Sequence, residues 1–160
     1  MNMESNPTRE IDVYYRESPN LAAADTHFHN VHEIIFIVDG SVRINAGSKT
    51  YNASGNTIVF FSNLEKHSVT IIRGPYKRYV VSLSQNYTHQ MLKDSPLLSI
   101  LLQRPESFSH AIALDDETAA GIRQVLDTMV AEASQQKAFW TLRLSLLITD
   151  MLIRLYRFSH

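Results

Sequence analysis

The run His27-Phe28-His29-Asn30-Val31-His32-Glu33 holds three of the chain's seven histidines together with one carboxylate. Side chains alternate between the two faces of a strand. The even spacing of His27, His29 and Glu33 therefore puts all three on one face, shared with Val31, Ile35 and Ile37. His32 has the other parity, so a position on the strand exterior or in a loop is expected for it. His67 opens a later run in which Val69 and Ile71 share its face.

Two chemistries suit this set. Three imidazoles and a carboxylate form a donor set for a divalent transition metal, provided the rings are neutral and their second nitrogens are held by neighbours. The expected metal ligands are His27, His29, Glu33 and His67. The same four can instead be the polar wall of a mostly aliphatic small-molecule pocket. A buried carboxylate is rarely left alone, and Arg43 or Arg78 could pair with Glu33. Among the strand aromatics Phe36, Phe60, Phe61, Tyr76 and Tyr79, most are expected in the core and one or two in the cavity wall. The expected pocket is thus His27, His29, Glu33, His67, Arg43 and Tyr79. His89, His110 and His160 fall near helix or loop segments and are expected to be solvated.

Other chemistries have little support. No serine sits in a Gly-x-Ser-x-Gly elbow, and five glycines include no phosphate-cradling loop followed by lysine. The absence of cysteine excludes disulfides, thiolate metal sites and thiol nucleophiles, and agrees with a cytoplasmic location. Fifteen Lys and Arg against sixteen Asp and Glu give a formal charge of -1, which is no electrostatic footprint for a phosphate backbone. The N-terminus is polar, and the apolar-rich C-terminal segment is interrupted by Arg143, Asp150, Arg154 and Arg157, so no membrane insertion is expected.

The elements that must position these residues follow from two different periods. At 160 residues, 44% of them hydrophobic, the chain is expected to form one compact unit. From Ile11 to Leu83 short strand-like runs alternate with turn signals, the pattern of an antiparallel barrel or sandwich. The runs are IDVYY, EIIFIV, SVRIN, KTYNA, TIVFF, HSVTII and YKRYVVSL. Asp39-Gly40 suits a tight hairpin, since both central residues of that turn need positive φ, and Gly74-Pro75 reads as another break. Residues 1–84 are accordingly assigned to the barrel. Residues 85–114 are expected as a connector with short helices and a strand returning to the barrel, and residues 115–160 as a helical segment.

The first of the two helices expected there has an acidic first turn and one stripe, Ile122, Val125, Leu126, Met129 and Ala133. The second carries two stripes. Trp140, Leu144, Leu147, Met151, Leu155 and Phe158 form one; Leu142, Leu146, Ile153 and Tyr156 form the other. A small barrel covers only one face of such a helix, so the other is expected to meet a second subunit. Trp140, Leu144, Leu147, Met151 and Leu155 are the expected contact.

The stretch HFHNVHEIIFIVDG resembles the first metal-binding motif of the cupin superfamily: two His separated by one residue, then Glu, then Gly. GNTIVFFSNLEKH is similar to the second motif, although it lacks the usual proline and second glycine and its loop is a residue longer. With RYVVSLS and the closing LLITDMLIRLYR, the order of parts over residues 11–158 resembles the N-terminal domain of AraC-type transcription regulators. That resemblance implies a cupin-like jelly-roll barrel followed by two packed helices, a small-molecule effector such as a sugar, and homodimerisation through the helices. DNA would be bound only by a helix-turn-helix domain outside this chain. The rival expectations are a metal-dependent cupin enzyme, a dioxygenase or isomerase using the four ligands, and a stand-alone metabolite-binding cupin.

Overall fold

The computed structural model describes residues 10–19, 30–62, 65–93, 95–97 and 108–160. The strands are β1 (Ile11–Ser18), β2 (Val31–Ala46), β3 (Lys49–Ala53), β4 (Thr57–Phe61), β5 (His67–Ser84) and β6 (Ala111–Ala113). The helices are α1 (Gln85–Leu92), α2 (Asp116–Gln135) and α3 (Trp140–Ser159). All strand pairings are antiparallel, in the order β1-β5-β2-β4-β6, with β3 paired to β2.

The spine of the fold is the long ribbon of β2 on β5. The Asp39-Gly40 hairpin expected from sequence is not formed, and Gly74-Pro75 does not end a strand. The chain runs through both sites, which lie opposite one another where the β2–β5 register shifts between Ile37 and Val42. Gly40 has φ +95°, and a β-carbon on it would lie 2.8 Å from the Pro75 carbonyl oxygen. Glycine is needed here for the close approach of two strands bending together, rather than for a reversal of the chain. SVRIN and HSVTII thus continue their neighbouring runs.

The bend gives the ribbon two halves and the molecule two cores. Ile35, Ile37, Val59, Phe61, Tyr76 and Val80 from one half pack on Val42, Ile44, Ala46, Ala53, Val69 and Ile71 from the other. This is the barrel interior. On the opposite face of the larger half, Ile34, Phe36, Ile58, Phe60, Val81 and Leu83 form a second core with α2 and α3. The strands of that half are apolar on both sides because both sides are covered, which explains why EIIFIV and TIVFF read as continuous hydrophobic runs.

The helices dock by the stripes that their period predicts, with one exchange. Asp115 caps α2 by accepting the Thr118 backbone N–H at 2.7 Å, and Ile122, Val125, Leu126 and Met129 are buried against the sheet. On α3, Leu144, Met151 and Leu155 are buried in the same core, and Trp140 and Leu147 pack on it. The stripe expected at a dimer contact is therefore the inward one. Leu142 and Leu146 are 55% and 63% exposed. Both stripes have helical spacing, and only the direction from which the sheet approaches decides which is buried. No helix among the described residues is long and apolar enough to cross a membrane.

Candidate functional site

The strand registers order the inward side chains into rows. Asp12, Ser82, Glu33 and Phe61 form one row; Tyr14, Val80, Ile35 and Val59 the next; Arg16, Arg78, Ile37 and Thr57 a third; Ser18 and Tyr76 a fourth. The middle of the barrel is aliphatic, and the polar groups lie toward its two ends.

Of the candidate metal ligands, His27 and His29 lie outside the described residues. Glu33 is buried on the inward face, opposite Phe61 on β4. His67 is buried and stacked on the Phe61 ring, with centroids 3.8 Å apart and planes 6° from parallel. Glu33 and His67 are thus both neighbours of Phe61. The His67 Nδ1 lies 2.9 Å from the Glu65 carbonyl oxygen. A carbonyl only accepts, so Nδ1 bears a proton; when the ring is neutral, Nε2 then keeps the lone pair, the form that a metal or a donating ligand requires. The described residues contain no group of three or more His, Cys, Asp or Glu able to hold a metal.

Two expected pocket residues stand elsewhere, for one reason. Inward residues of β2 are odd-numbered up to Ile37 and even-numbered from Val42; on β5 they are odd at Val69 and Ile71 and even at Tyr76 and Val80. The register shift changes the parity of both strands. Arg43 therefore points to solvent beyond the bend. Tyr79 faces the helices, where its hydroxyl donates to Asp127 of α2. Between these positions Arg78 takes the inward place. His32, of the other parity from Glu33, is on the exterior face of the barrel as expected, but it is buried there.

The inward polar group on β1 and β5 was visible only in part from sequence. Arg78 lies over the Tyr76 ring, its guanidinium carbon 4.2 Å from the centroid. Its Nη1 donates to Ser18 Oγ at 2.7 Å and to the Tyr76 carbonyl at 3.2 Å. Burial, followed by Arg16 among the charges that act in the same sense, lowers the Arg78 pKa. The Tyr76 phenol is pushed up to about 12, chiefly by burial, with Arg78 opposing and Glu33 and Tyr14 adding to the rise. Tyr14 is raised for the same leading reason, and Glu33 is the largest charge acting in that direction.

His110, expected to be solvated, is buried. Its Nε2 is 3.0 Å from Glu65 Oε2 and its Nδ1 2.8 Å from the Tyr51 hydroxyl, which also accepts the His110 backbone N–H at 3.1 Å. The carboxylate needs a donor, so Nε2 bears a proton; when the ring is neutral, Tyr51 donates to Nδ1. No local pattern marks this residue. It is enclosed because the segment entering β6 returns to pair with β4.

Two of the clefts on the described surface differ in size and place. One, of about 220 Å³, lies beside Ser41, Val42, Asn52 and Ile72. The other, of about 700 Å³, lies outside the barrel between the start of β1, Tyr87 of α1, and Trp140, Leu144 and Ser145 of α3.

Residues 10–152 match the family model of the AraC-like ligand binding domain. No curated protein sequence matches the chain. Among solved structures, the chain is similar to ToxT from Vibrio cholerae, with 10% identity and a TM-score of 0.54 over 74% of this chain and 48% of that one. An apo form of ToxT from the same organism gives 10% identity and a TM-score of 0.54 over 76% and 48%. An RmlC-like cupin family protein with a double-stranded β-helix fold from Methanocaldococcus jannaschii gives 16% identity and 0.43 over 46% and 70%. The chain spans about half the length of the ToxT structures. The architecture is a cupin-like jelly roll with helices packed on one outer face.

Proposed function

Because this chain belongs to the AraC-like ligand binding domain family, we propose that it is the effector-sensing and dimerising part of an AraC-type transcription regulator, binding its ligand without transforming it. A polar small molecule, such as a sugar, sits against the inward face of the barrel. His27, His29, Glu33 and His67 are its candidate polar contacts. The exposed face of α3 meets a second copy of the chain. DNA contact belongs to a separate helix-turn-helix domain of the regulator, which acts in the cytoplasm. The surfaces of α2 and α3 support that division: α2 opens with Asp116 and Glu117, and α3 exposes leucines, neither suited to a phosphate backbone.

The observation that carries the reading is the two-sided use of one sheet. Arg78 faces the barrel, and the next residue, Tyr79, is bonded to Asp127 on α2. A ligand that prefers one arrangement of β5 would bias the helices through this contact, and only such a preference can shift the equilibrium.

The test is thermal unfolding of the chain in the presence of sugars, amino acids and organic acids. A ligand at a hundred times its Kd adds about 2.7 kcal/mol to stability, so a true effector raises the midpoint clearly. Glu33→Ala is expected to remove that shift while circular dichroism and light scattering show an unchanged fold and mass. Unfolding of the variant would give Glu33 a structural role instead. Recovery of the ligand unaltered after long incubation separates a sensor from an enzyme.

A further inference from the structure

The geometry points to an oxyanion-binding fork at Arg78, completed by Arg16, on the barrel-facing side of β1 and β5, so that the effector carries a carboxylate or phosphate group. The inference deepens the sensing function proposed above and rests on it. Arg16 and Arg78 are direct cross-strand partners, and the parity of Tyr14 on β1 and of Tyr76 and Val80 on β5 puts both on the inward face. Like charges directly opposite in an antiparallel pair repel. Among the described residues neither guanidinium has a carboxylate within salt-bridge distance; the ion pairs are Lys77–Glu17, Arg143–Glu132 and Arg154–Asp150, and Glu65 lies against the His110 ring. Two cations therefore face each other with no carboxylate of a described residue paired to either.

The way Arg78 is held decides what it can accept. Both protons of Nη1 are used, one by Ser18 Oγ and one by the Tyr76 carbonyl. The ring of Tyr76 lies under the guanidinium, its centroid 4.2 Å from the guanidinium carbon, and holds it in place. The Nε–H and Nη2–H groups on the other edge make no hydrogen bond to a described residue, and they lie side by side in the spacing that two oxygens of one carboxylate or phosphate match. A structural arginine would use that edge on the protein. Here the tethering leaves the bidentate edge of half-buried Arg78 unused by any described residue, with Arg16, more exposed, as a second charge. The Tyr14 and Tyr76 phenols remain protonated at neutral pH, since burial raises both, and so add no competing negative charge.

Sodium benzoate and inorganic phosphate serve as probes for the two sources of oxyanion, titrated into the isotope-labelled chain at constant ionic strength. Amide shifts in residues 14–18 and 76–80 should saturate with at least one probe and not with chloride. Arg78→Gln should weaken binding at least about tenfold, and Arg16→Gln less, in keeping with loss of a charged hydrogen-bonding partner. Arg78→Lys keeps the charge without the fork and should fall between, which preserves the test if Arg78→Gln does not fold. Saturation by benzoate alone assigns a carboxylate, and by phosphate alone a phosphate. Equal binding by wild type and the Arg78 variants overturns the inference, as does failure of both anions to saturate. If neutral sugars then shift the same amides, sensing stands and only the oxyanion is lost. If no ligand of any charge binds the barrel, the sensing function falls as well.

Discussion

At the scale of single residues, the buried polar groups are matched closely enough that removing one atom should be felt. Tyr51→Phe deletes the hydroxyl that serves both the backbone N–H and Nδ1 of buried His110, and the unpaired groups should cost about 1–3 kcal/mol in urea unfolding. An unchanged midpoint would mean that water replaces the hydroxyl. Tyr76 gives a prediction in pH. Its pKa is raised from 10.0 in the unfolded reference to about 12. The folded state therefore favours the protonated phenol. That stability is present in full below the unfolded value and is lost as pH rises from about 10 toward 12. Ultraviolet titration should show a tyrosine ionising late, or only with unfolding, and Tyr76→Phe should make the alkaline limb of the stability curve less steep.

At the scale of elements, the bend of the β2–β5 ribbon sets which residues face inward. Gly40→Ala meets both an unfavourable φ of +95° and the Pro75 carbonyl at 2.8 Å, so it should cost about 1–3 kcal/mol, nearer the upper end. Gly47 also has positive φ, +59°, but a β-carbon there has nothing within 4 Å; Gly47→Ala should cost about 1 kcal/mol. Equal effects would show that crowding at the bend is not what selects glycine. The faces of α3 give a parallel contrast. Leu144→Ala or Met151→Ala empties space in a closed core and should cost about 2–5 kcal/mol. Leu142→Ser, on the exposed face, should change the intrinsic stability of the monomer by no more than about 0.5 kcal/mol.

At the scale of the whole molecule, the sheet couples two compartments: an inward face that holds polar groups and an outward face that carries the helices. Exposed Leu142 and Leu146, with Phe139 beside them, form the surface through which the proposed dimer assembles. Leu142→Ser combined with Leu146→Ser should convert a dimer to a monomer in light scattering while the circular dichroism spectrum is retained. A dimer that survives both changes would place the contact elsewhere. Breaking the Tyr79–Asp127 contact with Tyr79→Phe should leave effector affinity nearly intact and reduce the response of the helices to it.

The sequence by itself determined what depends on local period and residue type: strands up to residue 84, helices after residue 115, a barrel followed by packed helices, and the inward parity of Glu33 with Ile35 and Ile37. It also located the two glycine sites at which the ribbon bends, Asp39-Gly40 and Gly74-Pro75. Whether those glycines reverse the chain or bend it was decided only when β2 and β5 paired along their whole length, because a turn and a bulge use the same residue. That choice inverted the parity beyond the bend, sending Arg43 outward and placing Arg78 rather than Tyr79 inside. Tertiary structure also chose the buried stripe of α3 and enclosed His110. Each depends on the direction from which a distant segment approaches, and that direction leaves no mark on the local pattern of residues.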